Sequence, residues 1–236
     1  MGGWLGRVIR RAYYVPFCSI CDQAVHPPLP SPSVCRLCLS RLPFRMDREA
    51  VGWDGPFPLF ATFFYREPLT EILVSIKFAG RTDRAMALAP LMARTVLCQG
   101  LEADAIIPLP LHENRRRRRG YNQAALLAEG LSEELSIPSL DKLLVRWRDT
   151  RRQSETTSLK ERLEHLEGAF RLSSGSRLPA ELRGRTVLLV DDILTSGATM
   201  KEAAKPLLQT GLRPVGLVAA TGRDRYRAYG EAMDQW

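Results

Sequence analysis

A run near the carboxyl end of the chain, TVLLVDDILTSGATM at 186–200, gathers residue types suited to holding a phosphorylated sugar. Four apolar residues, Val187, Leu188, Leu189 and Val190, lead into two adjacent carboxylates, Asp191 and Asp192. A turn of small and hydroxyl-bearing residues follows: Thr195, Ser196, Gly197, Ala198 and Thr199. Ligands of open α/β sheets bind beyond the carboxyl ends of the strands. A small-residue turn that opens a helix offers unpaired backbone N–H groups and hydroxyls, and those groups bind phosphate. A carboxylate accepts two hydrogen bonds from a vicinal diol, so the acidic pair suits sugar hydroxyls. A phosphate beside a ribose diol is a pentose 5-phosphate. The plainer reading, a strand–helix turn capped by Asp and Thr, leaves the combination of acidic pair, TSG and Thr without a reason. Neither GxxxxGK[ST] nor GxGxxG occurs, which excludes a P-loop or dinucleotide fingerprint.

Four of the five cysteines fall in two CxxC pairs, Cys18 with Cys21 and Cys35 with Cys38. Each pair lets one tight turn aim two thiolates at a common centre, and two such turns complete a tetrahedral sulfur shell for zinc. The proline-rich stretch between the pairs is too poor in helix formers to fold alone, so a structural zinc knuckle or ribbon is expected. No strand–helix context supports a redox role for either pair. His26 lies between them but is not needed once four sulfurs are counted. Cys98 closes a helix-like stretch and reads as a buried apolar side chain.

The 236 residues carry 45% apolar and 25% charged side chains, an ordinary globular mixture that excludes wholesale disorder. No apolar run reaches the roughly 18 residues of a spanning helix. Residues 1–14 lack a signal-peptide pattern, and a cytoplasmic location is expected. Trp4, Leu5, Val8 and Ile9 form a stripe that suits docking onto the second domain better than a membrane surface. The formal net charge is +8, carried mainly by arginine. The planar guanidinium fork favours phosphate, so anionic partners are expected. The surplus falls in 1–60 and 111–152, the segments that hold the cysteine pairs and five consecutive arginines at 115–119. That run reads either as a solvated charged loop or as a polyanion contact, with Arg115, Arg116 and Arg117 as candidates for nucleic-acid backbone.

The elements that must position these groups alternate. Strands are predicted at 59–65, 105–107, 187–190 and 215–220, and helices at 68–78, 84–98, 122–135 and 198–209. Leu69, Ile72, Leu73 and Ile76 form one helical stripe. A strand that is apolar on both faces, set among alternating strands and helices, implies an α/β domain around a parallel sheet. The expected domains are an N-terminal helix and zinc module at 1–45, a glycine- and proline-rich linker at 46–58, and the α/β domain at 59–236.

The 186–200 segment resembles the phosphoribosyl-pyrophosphate motif of type I phosphoribosyltransferases. Ile107-Pro108-Leu109-Pro110, followed by Arg119-Gly120-Tyr121-Asn122-Gln123, is similar to the pyrophosphate-loop region of the ComF family. The four cysteines and Lys77-Phe78-Ala79-Gly80-Arg81 also resemble that family, so the likeness covers nearly the whole chain. The resemblance implies a type I phosphoribosyltransferase-like parallel sheet flanked by helices, preceded by a small zinc ribbon or knuckle. It implies that Asp191 and Asp192 hold the ribose hydroxyls and that 195–199 cradles the 5-phosphate. Magnesium would sit on the pyrophosphate, with Arg119 and Lys77 as further phosphosugar ligands. For Lys77 the alternative is a surface lysine that ends an amphipathic helix.

ComF proteins are associated with DNA uptake in natural competence, and relatives carry gluconate-utilisation names. The resemblance therefore implies transfer of a phosphoribosyl group to an undefined acceptor, with single-stranded DNA and the uptake machinery as partners. The alternative is a non-catalytic, nucleic-acid-handling zinc protein whose phosphoribosyl site is a sensor or relic. In one place the chain departs from the family pattern. Gln153, Arg162 and Gly168-Ala169-Phe170 are present, but His165 stands where asparagine is expected, in the segment that would hold a mobile catalytic loop.

Overall fold

The computed structural model describes residues 17–25, 33–45, 50–148, 166–174 and 180–222. The stripe at 4–9, His26, Gln153, Arg162 and His165 lie outside them. The chain divides into two compact units, 1–42 and 43–236.

In the first unit, Phe17 and Ala24 form an antiparallel bridge around a turn closed by the Asp22 N–H on the Cys18 carbonyl (2.8 Å). Cys35 caps helix α1 (Arg36–Arg41), its sulfur accepting the Cys38 N–H. One cysteine pair therefore sits on a turn and the other on a helix start.

The second unit is built on four parallel strands. They are β1 (Leu59–Phe64), β2 (Ala105–Pro108), β5 (Thr186–Leu194) and β6 (Arg213–Thr221), in the order β1-β6-β5-β2. A separate antiparallel ribbon pairs β3 (Leu144–Arg146) with β4 (Phe170–Leu172). Helices α2 (Leu69–Phe78), α3 (Thr82–Cys98), α4 (Glu113–Arg119), α5 (Gln123–Leu135) and α6 (Ala198–Gln209) complete it. Val187 and Leu189 pack with Met200, Ala203 and Leu207 of α6 and with Phe170. Strand alternation sends Leu188 and Val190 to the other face, where α3 and α5 cover the sheet. All four strand residues are fully buried, which is why this stretch carries no polar side chain.

Strands β5 and β6 run longer than their apolar runs, because each gains a hydrogen-bonded neighbour that polar residues can share. The arginines at 115–119 are helical rather than a loop. His112 caps α4 by accepting the Asn114 N–H, and Glu113 pairs with Arg117 across one turn (3.1 Å). Gly120 ends the helix at φ 83°, its N–H on the Arg116 carbonyl, and cations in the last turn complement the helix dipole. Cys98 is exposed rather than buried, since the last residue of α3 falls beyond its packed face. In the expected linker, Val51 and Phe57 are buried in the core, and the Val51 N–H donates to the Leu59 carbonyl. This part of 46–58 belongs to the packed domain.

Candidate active site and metal centre

β2 ends at Pro108, opposite Val190, and the Leu109 N–H closes that ladder on the Val190 carbonyl (2.8 Å). β5 continues, paired only with β6, so Asp191 and Asp192 stand where one flank of the strand has opened. The cavity there has a volume of ≈ 840 Å³ and is lined by Asp191, Asp192, Lys77, Arg119 and Thr199, among others. Segments far apart in the chain thus converge on the acidic pair.

Lys77 Nζ lies 2.7 Å from Asp192 Oδ2, and Asp191 Oδ1 accepts the Asp192 backbone N–H at 2.8 Å. Burial, then the neighbouring Asp192 charge, raises the Asp191 carboxyl well above the ordinary carboxylate range. Asn122 donates to the Leu109 carbonyl (2.9 Å) while its own oxygen caps α5. The Tyr121 hydroxyl donates to the Ile76 carbonyl, tying the end of α2 to the start of α5.

Of the 195–199 turn, Thr199 lines the cavity. Thr195 and Ser196 are exposed, Ala198 is partly exposed, and Gly197 is buried. Gly197 adopts φ 83°, and a Cβ there would come within 2.8 Å of the Trp53 ring. That ring packs edge-on to Phe57 and donates to the Phe57 carbonyl (3.0 Å). Lys201 pairs with Asp54 at 3.1 Å, so residues 53 and 54 are held against the start of α6.

Gln123 and Arg118, which the sequence offered only as members of the pyrophosphate-loop motif and of the arginine run, line the cavity, as does Arg146, to which sequence reasoning assigned no role. Gln123 is 4% exposed, and its Nε2 has no hydrogen-bond partner among the described residues. Helical spacing from Arg115 would have pointed to Arg118. Nothing local marks Arg146, which the β3–β4 ribbon delivers. Arg116 and Arg117 do not line the cavity; both are exposed.

In the first unit the ligand atoms of Cys18, Cys21, Cys35 and Cys38 all lie within 4.8 Å of one another. Cys21 and Cys35 sulfurs are 4.0 Å apart, against about 3.8 Å between sulfurs of a tetrahedral zinc site with 2.3 Å bonds. Cys18 Sγ accepts the Cys35 N–H and Cys35 Sγ the Cys38 N–H, each at 3.4 Å. Burial opposes the Cys18 thiolate, but N–H groups of Cys35, Cys21 and Ile20 outweigh it and bring the thiol down to about 7. Burial pushes the Cys21 and Cys38 thiols up. Four soft donors at this spacing, with N–H groups aimed at sulfur, fit a structural zinc ion.

A parallel sheet flanked by helices, with an acidic pair at the opened end of its central strand, defines a type I phosphoribosyltransferase-like protein. The family model "Phosphoribosyl transferase domain" matches residues 121–230. Competence protein F of Haemophilus influenzae is 35% identical over 77% of this chain and 75% of that protein. The DNA utilization protein YhgH of Salmonella typhimurium is 32% identical over 90% of this chain and 92% of that protein. Among solved structures, the adenine phosphoribosyltransferase of Leishmania tarentolae aligns with a TM-score of 0.39 and 16% identity, over 76% of this chain and 80% of that one. The chain belongs to the ComF family of competence proteins. No helix among the described residues is long and apolar enough to cross a membrane.

Proposed function

We propose that this protein binds phosphoribosyl pyrophosphate with magnesium and transfers the phosphoribosyl group to a nitrogen acceptor. One observation carries the reading: Asp191, Asp192, Lys77 and Arg119 meet in one cavity at the carboxyl ends of β2 and β5. The acidic pair would hold the ribose hydroxyls and orient the sugar rather than act as acid and base. Its negative charge would also stabilise a cationic, sugar-centred transition state as pyrophosphate departs. Thr199 and the 195–198 turn would hold the 5-phosphate, and Lys77 and Arg119 the pyrophosphate. Gln123 supports the reading, because a buried donor without a partner costs about 1–3 kcal/mol and a ligand oxygen would relieve it.

Magnesium is commonly held by one or two carboxylates plus substrate phosphates. The acidic pair supplies that number; burial first, and then the Asp192 charge, hold the Asp191 carboxyl up, and a cation beside the pair would offset both. The residues present therefore fit the ion, which would neutralise charge on the departing pyrophosphate. Zinc would be structural, on the four cysteines, and a thiolate site of this kind suits the reducing cytoplasm.

The test is a melting shift with phosphoribosyl pyrophosphate and magnesium, together with pyrophosphate release against a set of nitrogen acceptors. At about 100 times its dissociation constant the ligand should stabilise the fold by roughly 2.7 kcal/mol. The gain should vanish in the Asp191→Asn, Asp192→Asn double variant. An equal shift in both proteins would place the ligand elsewhere.

A second reading, a nucleic-acid-handling protein whose phosphoribosyl site serves as a sensor, is favoured by the names of the relatives and the exposed Arg116 and Arg117. Single-stranded DNA and DNA-uptake components would then be the partners. Tight ligand binding without pyrophosphate release would select it.

A further inference from the structure

Trp53 is a large, half-buried side chain in a short stretch rich in glycine and proline, 51–58. The Val51 N–H closes that loop on the Leu59 carbonyl (2.6 Å), and the Gly216 N–H ties it to β6 on the Pro58 carbonyl (2.9 Å). Within the loop the indole N–H and the edge-on contact with Phe57, ring centroids 4.9 Å apart, fix the ring. The ring then fills space that two glycines leave open. A Cβ on Gly55 would collide with its six-membered part, and one on Gly197 would come within 2.8 Å of the same part. Gly55 belongs to the ring's own loop, but Gly197 belongs to the turn at 195–199. Leu194, buried at the end of β5, lies 3.6 Å from that second Cβ position, so Gly197 is confined by two side chains. Its carbonyl accepts the Lys201 N–H at 2.9 Å, which begins the ladder of α6.

We propose that Trp53 is a positioning residue for the phosphate end of the site: its ring fixes Gly197 and, through it, the direction of the N–H groups that open α6. The inference rests on the phosphosugar reading above and deepens it. Trp53 does not line the cavity, so it touches no ligand and acts through the backbone of the turn. Helix-opening N–H groups hold an anion only while they point at it. A binding group works within about 0.5 Å of its productive position, and glycine, with no Cβ of its own, leaves the backbone freer to drift than any other residue. The ring supplies the missing wall. The nearby pair of Asp54 and Lys201 (3.1 Å) cannot do the same, because the Asp54 side chain is fully exposed and such pairs are screened by water. Lys77 and Arg119, on α2 and α4, reach the cavity without this loop. Loss of the ring should therefore harm one half of the ligand and spare the other.

Calorimetric titration of the full zinc-loaded chain with ribose 5-phosphate and, separately, with magnesium pyrophosphate tests the two halves. Trp53→Ala should weaken ribose 5-phosphate about ten-fold and leave pyrophosphate within two-fold. Trp53→Phe keeps a ring in the gap and should hold ribose 5-phosphate within three-fold, and Asp54→Ala should hold it within two-fold. Amide hydrogen exchange of the unliganded proteins gives a readout that needs no ligand: Trp53→Ala should speed exchange at 195–199 at least ten-fold and leave β2 unchanged. The proposal is overturned if Trp53→Ala binds ribose 5-phosphate like wild type, or if both probes weaken alike and exchange rises in β2 as much as in the turn, which would make the ring a general prop of the fold. It is equally overturned if Trp53→Phe is as weak as Trp53→Ala, or if Asp54→Ala costs as much. If wild type binds no ribose 5-phosphate, the phosphosugar reading fails, and exchange decides for the ring: faster exchange confined to 195–199 sustains it as the support of the turn, and unchanged exchange overturns it.

Discussion

Lys77 Nζ stands 2.7 Å from Asp192 Oδ2, and Asp191 presents its own carboxyl to the Asp192 backbone N–H. One lysine thus faces two adjacent carboxylates, and the imbalance falls on Asp191. Burial and the Asp192 charge hold its carboxyl up, with Lys77 opposing them less strongly.

This imbalance sets a pH dependence. The native Asp191 pKa is raised above its unfolded value near 3.9. Between the two values the native state binds more protons than the unfolded chain, so stability falls as pH rises through that window. The Asp191 contribution is fully present below the unfolded value and lost above the native one. Asp191→Asn should therefore melt higher than wild type at pH 8, with the gap closing toward pH 4. Parallel melting curves across that range would contradict the argument.

Gly197 tests how the turn at 195–199 is held. Its φ of 83° and the Trp53 ring against it leave no room for a side chain. Gly197→Ala should cost about 1–2 kcal/mol from the left-handed backbone alone, and more if Trp53 must shift. Adding Trp53→Ala should return part of that loss. Urea denaturation of the single and double variants decides the point, and independent, additive losses would mean that the ring does not press on the turn.

Zinc should be present at one ion per chain, and Cys35→Ser should abolish it. The thiol sites bind metal as thiolates, so uptake should release protons and weaken below about pH 6. Metal analysis and proton release on titrating zinc into chelator-treated protein measure both. Full zinc content in Cys35→Ser would exclude the four-sulfur site.

Weak, sequence-independent binding of single-stranded DNA should come from phosphate neutralisation. Its log–log salt slope then changes by about 0.7 for each phosphate that is no longer neutralised. Because α4 turns Arg116 and Arg117 away from the cavity, replacing both with alanine should reduce the slope by about 1.4 and leave phosphoribosyl pyrophosphate binding intact. An unchanged slope would leave these two arginines as a solvated helix face.

Much of the site was legible because its chemistry is local. Asp191 and Asp192 adjoin a strand whose apolar run declares two buried faces. The small residues after them are those a helix-opening turn requires, and the CxxC pairs carry their geometry in their spacing. What tertiary structure decided is which distant residues share space with these groups. Lys77 reaches Asp192 from α2, Arg146 enters from a two-stranded ribbon, and Trp53 closes over Gly197 from a segment that composition marks as a linker. The arginine run shows the division within one element. Composition supplied its charge, but only folding as a helix could split that charge, because one turn of about 3.6 residues sends Arg115, Arg118 and Arg119 toward the cavity and Arg116 and Arg117 to solvent.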